Sequence, residues 1–299
     1  MRTNSLLSAL GCLAVLQCCT ASGPARGWVR ALLALRGSFT ARHLTIVSTS
    51  LLALLAAPSS RAETVFITGA NSGIGLEFVK QYAALGWDVI ATHRRDETPA
   101  TLTAVMAEYT TVQSERMDVT SPEEVRALAT RLTGTTIDLL INNAGVYQFN
   151  GTYDNQNFES LDFEIFDTFA RTNIRGPALV TESFIDHVRA SDNGKIVSIS
   201  SSHGAITSPP FVEGALWYAM SKAALNRIMH SLAYALRDEG IVVVVLHPGS
   251  VRTERQADLD FPGMIETDFS VMNMIDTITG LTIEDTDQFL LFDGSTQPW

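Results

Sequence analysis

Tyr218 and Lys222 stand four residues apart in WYAMSKAALN, Trp217 to Asn226, amid small and apolar residues. In a helix the side chains at i and i+4 share a face, so a phenol and an ammonium can enter one cleft together. A free phenol titrates near about 10, too high for efficient proton exchange at neutral pH. A neighbouring cation favours the phenolate and lowers that value. The pair is suited to give a proton to a carbonyl oxygen or to take one from an alcohol. The same spacing also describes an ordinary surface pair, so the reading depends on its surroundings. A second stretch, TGANSGIG, holds Gly69, Asn71, Ser72, Gly73, Ile74 and Gly75 directly after a β-branched run and before an amphipathic one. Glycines there permit a tight turn and close approach of a pyrophosphate, and the helix that follows offers N–H donors and a favourable dipole.

The elements that must position these residues alternate along the chain. TVFIT, WDVIAT, SERMDV, IDLLIN, KIVSIS and IVVVVLH are near-continuous apolar runs, as expected of parallel strands buried on both faces. GLEFVKQYAALG predicts a helix stopped at Gly86. SPEEVRALATRL predicts one with Ser121 as N-cap, Pro122 in its first turn and Glu124 closing a capping box. The alternation predicts an α/β fold, a single Rossmann-type domain with a doubly wound parallel sheet over residues 63–299 and ligands beyond the carboxyl ends of the strands.

The wider G-x-x-x-G-x-G spacing resembles the short-chain dehydrogenase/reductase family. The resemblance recurs in order through Asp118-Val119, the NNAG at Asn142–Gly145, and then Asn173, Ser201, Tyr218 and Lys222. ANSGIGLEFVKQ, GWDVIAT, MSKAALN and the ending FDGSTQPW are similar to C-factor and sniffer-type carbonyl reductases. The resemblance implies a catalytic tetrad in which Tyr218 is the general acid/base, Ser201 binds the substrate oxygen, Lys222 holds the nicotinamide ribose and Asn173 positions a water. Ser200 and Ser202 compete with Ser201, which is favoured because Gly204 follows three residues later. It also implies cofactor contacts from the glycine turn, Asp118, Val119, Asn143, Ala144, Gly145, Tyr218 and Lys222, and from Pro248, Gly249, Val251 and Thr253 in HPGSVRT. Asn142–Gly145 is expected to stabilise the sheet centre as much as to line the site, and Pro248 and Gly249 could equally be plain turn residues.

The end of the second strand reads ATHRRDE. An acid there binds a ribose 2′-hydroxyl, whereas arginine accommodates a 2′-phosphate, so Arg94 favours NADP(H) over NAD(H). Val146, Tyr147, Phe149, Phe211 and Trp217 suggest an apolar pocket wall, and ERQADLDFPGMIETDF a substrate lid. The expected function is hydride transfer between a nicotinamide and a small carbonyl or alcohol substrate. The alternatives are a non-catalytic NADP(H)-binding regulator and an NAD-retaining epimerase or dehydratase. The short region after His247 disfavours the latter.

Charge and composition narrow the classes further. Six of the 21 basic residues lie at or before Arg61, a stretch with no Asp or Glu. The remainder carries 15 basic and 32 acidic residues, a net of −17. So acidic a domain repels phosphate backbones, which argues against nucleic-acid binding. All three cysteines fall in the same early stretch, and the six histidines show no metal-ligand spacing. Residues 1–62 combine two apolar runs with an Arg-rich, acid-free segment, as in signal and transit peptides. The expectation is an organelle or the secretory pathway, with a plastid or its lumen favoured, or the cytoplasm if the start is misassigned. The family resemblance implies homodimers or homotetramers built on the helices of Asn173 and Tyr218, with monomers among sniffer-like relatives.

Overall fold

The structure, a computed structural model, describes residues 61–148, 154–207, 215–254 and 262–299. Residues 1–60 of the expected leader, Phe149, Phe211 and residues 255–261 of the expected lid lie outside the described residues. Seven parallel strands form one sheet in the order β3-β2-β1-β4-β5-β6-β9. They are β1 (Thr64–Ile67), β2 (Asp88–His93), β3 (Val112–Arg116), β4 (Leu139–Asn142), β5 (Lys195–Ile199), β6 (Val242–His247) and β9 (Phe289–Leu291). A separate parallel pair, β7 (Ser250–Arg252) and β8 (Met264–Glu266), stands off its carboxyl edge.

Helices cover both faces, which is why the strands read as unbroken apolar runs rather than as alternating ones. On one face α1 (Gly73–Ala84) and α7 (Thr267–Gly280) set Phe78, Val79, Val271 and Met274 against Val65, Ile67 and Val244, with α2 (Ala100–Glu108) beside them. On the other, α3 (Pro122–Arg131), α5 (Gly176–Arg189) and α6 (Leu216–Leu236) pack on Phe66, Leu140, Ile196 and Val243. Phe66 meets Phe184 of α5 with ring centroids 4.3 Å apart. The topology reverses between β1 and β4, and it is there that a doubly wound sheet opens a crevice for ligands.

Two sequence expectations need correction. The third strand ends at Arg116, so Met117–Val119 of SERMDV lies beyond the sheet. Met117 N–H still reaches His93 O, and a turn takes over after it: Asp118 N–H donates to Glu124 Oε2 at 2.9 Å, and Asp118 Oδ1 accepts from both Thr120 N–H and Thr120 Oγ1 at 2.8 Å. The same contacts leave the capping box half made. Ser121 Oγ accepts from Glu124 N–H, but Ser121 N–H is spent on Asp118 O, and the Glu124 carboxylate turns to Asp118 and Arg116 instead. The seventh strand, β9, escaped the sequence reading because three residues are too short for a periodicity to register. It is followed by a return segment, in which Gln297 N–H reaches Phe289 O and Trp299 packs on the Phe289 ring.

Candidate active site

The glycine turn needs backbone conformations and close approaches that a side chain would block. Gly69 and Gly73 have φ of +66° and +53°, in the left-handed region that favours glycine. A Cβ at Gly75 would lie 2.4 Å from both Gly69 O and Asn143 Nδ2, and one at Gly69 would lie 2.8 Å from Ala144 Cα. The turn is therefore clamped onto the segment after β4. Asn143 Nδ2 donates to Thr68 O and Gly69 O, while Thr68 Oγ1 accepts from the N–H groups of Asn143 and Ala144. Asn142 serves the sheet: its amide donates to Thr181 Oγ1 and Ser198 Oγ in the buried interior. Ser72 caps α1 in extended conformation without a side-chain hydrogen bond, and α1 has no acid in its first turn. Gly73 N–H is met by Glu254 Oε2 at 3.1 Å, a carboxylate drawn to the positive end of the helix.

From this turn a cleft of about 230 Å³ runs along the carboxyl ends of β1, β2 and β4. Gly69, Asn71, Ser72, Gly73, Ile74, Gly75, Asn143, Ala144 and Thr253 line its centre, with Arg94, Asp118 and Val119 at one end and Gly145, Val146 and Tyr147 at the other. His93, Met117, Thr120, Thr172 and Glu254 line it too, though sequence reasoning passed over them. His93 and Thr172 sit beside Arg94 and Asn173, so adjacency to the motifs was the available signal. Glu254 had only its place after Thr253. His93 is buried, and burial holds its imidazole below the ordinary range.

The four proton-transfer candidates meet beyond Gly145. A Cβ at that glycine would stand 3.3 Å from Asn173 Oδ1 and 3.7 Å from Lys222 Nζ. Asn173 lies in a π-helical turn, Ala170–Arg175, between α4 (Phe166–Phe169) and α5, an irregularity of the kind often found at functional positions. Its Oδ1 accepts from Val146 N–H, and its Nδ2 donates to Val146 O and Ser221 Oγ. The neighbouring serines differ in their partners. Ser200 Oγ is buried and donates to Asn226 Oδ1 at 2.6 Å, whereas Ser201 Oγ lies 3.2 Å from His203 Nδ1.

Tyr218 and Lys222 share one face of α6. The helix is started by Ala215 in left-handed conformation, with no side-chain cap from its own first residues. Gln156 supplies the missing bond: its Oε1 accepts from Tyr218 N–H at 3.0 Å, and its Nε2 donates to Tyr147 O. Nothing in the sequence around Gln156 signalled this role. Lys222 Nζ is buried and donates to Ile199 O at 2.8 Å, 5.7 Å from the centroid of the Tyr218 ring. Burial lowers the Lys222 ammonium to about 8 and raises the Tyr218 hydroxyl to about 12. The expected lowering of Tyr218 by the lysine does not appear in the protein alone: desolvation of the phenolate raises it, Tyr147 adds to the rise, and Ser201, not Lys222, acts in the lowering direction.

The model of the short chain dehydrogenase family matches residues 63–261. The chain belongs to this family. It is 34% identical over 181 residues to C-signal of Myxococcus xanthus, covering 58% of this chain and all of that one. An NADPH-bound carbonyl reductase from chicken fatty liver shares the fold with a TM-score of 0.73 and 29% identity, covering 80% of this chain and 95% of the other. The carbonyl reductase Sniffer of D. melanogaster shares the fold at a TM-score of 0.70 and 22% identity, covering 80% and 100%.

This short-chain dehydrogenase places HPGSVRT differently from the expectation in part. Thr253 lines the cleft, but Pro248, Gly249 and Val251 are absent from its lining, as are Tyr218 and Lys222 of the same expectation. Gly249 has φ +83°, and a Cβ there would lie 2.9 Å from Ile265 Cδ1 and 3.3 Å from the Phe292 ring. Pro248 O accepts from Ser270 Oγ, and buried Val251 pairs with Ile265 across the β7–β8 ladder. These residues pack the base of the loop rather than the cleft. Trp217 also turns away, donating Nε1–H to Asp162 O and packing edge-on against Phe163 and Phe166.

Proposed function

We propose that this oxidoreductase uses NADP(H) to interconvert a carbonyl and an alcohol, with Tyr218 as the proton-transferring residue. The observation that carries the reading is the convergence of Ser201, Tyr218, Lys222 and Asn173 at the Gly145 end of the cleft. At the other end the glycine turn and the N-terminus of α1 suit a pyrophosphate, and Arg94 offers a cation to a ribose 2′-phosphate. The chicken carbonyl reductase, which resembles this chain over most of its length, holds NADPH. The dinucleotide would supply the hydride. Tyr218, kept protonated by burial, gives its proton to the oxygen of a reduced carbonyl, and Ser201 hydrogen-bonds that oxygen as charge gathers on it. Lys222 then favours the resulting phenolate across 5.7 Å from the ring, more strongly as water is displaced from the cleft.

NADPH oxidation by the full chain against aldehydes, ketones and quinones, with NADH in parallel, tests the reading. Tyr218→Phe is expected to lose turnover by at least about 100-fold while its NADPH Kd stays within about twofold. A variant that turns over as the wild type removes Tyr218 from its role.

A further inference from the structure

The residue two after the proposed substrate-binding serine is a histidine, and its ring is part of the same hydrogen-bonded set. His203 sits in a one-turn 3-10 helix, Ser202–Gly204, that Ser201 caps by accepting His203 N–H at 3.3 Å. The turn has no freedom to drift. A Cβ at Gly204 would lie 2.8 Å from the Lys222 carbonyl carbon, so the loop rests directly on the backbone of α6. Asn226 fastens it there, donating Nδ2–H to Gly204 O while its Oδ1 accepts from Ser200. The consequence is a fixed imidazole: Nδ1 lies 3.2 Å from Ser201 Oγ, and the ring stands edge-on to Tyr218 with centroids 5.5 Å apart.

A serine hydroxyl has one proton and two lone pairs. Ser201 Oγ already accepts from His203 N–H, so for the serine to keep its own proton for a substrate oxygen the ring contact must be made with a hydrogen on Nδ1. Both lone pairs of Ser201 then face N–H donors from His203, one from the backbone and one from the ring. We propose that His203 is a positioning residue for the reaction, its Nδ1–H donating to Ser201 Oγ so that the serine proton points at the substrate oxygen and the tyrosine. Burial keeps the imidazole neutral at physiological pH, which leaves Nε2 as the acceptor nitrogen. With the opposite tautomer the serine proton would be pulled towards the histidine, and the carbonyl oxygen would have Tyr218 as its one donor.

The inference rests on the proposed proton transfer through Ser201 and Tyr218, and its test separates the two. In the full chain, with the carbonyl compound that the wild type turns over, His203→Ala is expected to lower kcat about tenfold, with NADPH Kd unchanged. His203→Asn, whose amide can stand at the Nδ1 position, is expected to recover most of the loss. In a Ser201→Ala background His203→Ala is expected to add less than about twofold, since the histidine acts through the serine. Losses that multiply in the double variant, or an asparagine no better than alanine, would overturn the proposal. Tyr218→Phe run alongside assigns a failure. If it is as active as the wild type, the functional reading falls and takes the inference with it. If it is inactive while His203→Ala is indifferent, the inference alone falls.

Discussion

Two turns of this protein place a glycine in left-handed backbone at the carboxyl end of a buried strand, and they use it for opposite ends. After β1 a Cβ at Gly69 would lie 2.8 Å from Ala144 Cα, and the bare glycine lines the cleft. After β6 the space above Gly249 is filled by Ile265 and Phe292. A positive φ thus reports what the backbone must do and says nothing of what lies across from it. Motif resemblance treats both turns as cofactor contacts; only the first remains open to a ligand.

The sharpest test of this contrast is Gly75→Ala. Its Cβ would press on a backbone oxygen and the Asn143 amide at 2.4 Å, neither of which can move without breaking the clamp. NADPH affinity is expected to fall by at least about 100-fold in calorimetric titration, with roughly 2–3 kcal/mol of stability lost in denaturant melts. Gly249→Ala should behave differently. Its nearest contact is the flexible tip of Ile265, so the variant should lose about 1–2 kcal/mol through backbone strain and repacking yet bind NADPH as the wild type does. Equal loss of affinity in the two variants would erase the distinction.

The smallest expected effect separates the turns by pH. Beyond the Gly145 end of the cleft lie a buried lysine and a tyrosine with shifted titrations. Lys222 falls to about 8 in the fold, against about 10.4 in an unfolded chain. Between those values the unfolded chain binds more protons, so stability should rise with pH, by ~1–2 kcal/mol between pH 8 and 10. Tyr218 runs the other way. Held at about 12 against about 10 unfolded, it makes stability fall once the pH passes 10. The rise should vanish in Lys222→Met and persist in Gly249→Ala, measured by urea melts at pH 7.5 and 9.5.

Much of this arrangement was legible because it rests on short-range rules. Six strands announced themselves as apolar runs, and Gly69–Gly75 named its own chemistry by standing between a strand and a helix. What was hidden depends on partners distant in sequence. Gln156 lies 62 residues before the backbone N–H that it caps at Tyr218, in a segment without periodicity. Glu254 reaches the glycine turn across 181 residues. Ser200 is held by Asn226, 26 residues on and on the helix that carries Lys222. The third strand ended early because a carboxylate six residues on claimed Asp118 N–H. In each case a side chain outbid a local preference.

The Asn143 clamp has a further meaning in time. It joins backbone oxygens to a side chain 74 residues downstream, across two intervening strand–helix units. A growing chain that has made β1, α1 and β2 possesses the whole glycine motif and none of its final shape, because the amide that holds the turn has not been synthesised. Contacts of such separation are slow to form, and parallel sheets depend on them. On a growing chain the nucleotide site should therefore mature in one step with the docking of β4, before the lysine of α6 has been made. Synthesis would then confer affinity for the dinucleotide first and turnover only afterwards, two events that chains arrested at successive lengths can read separately.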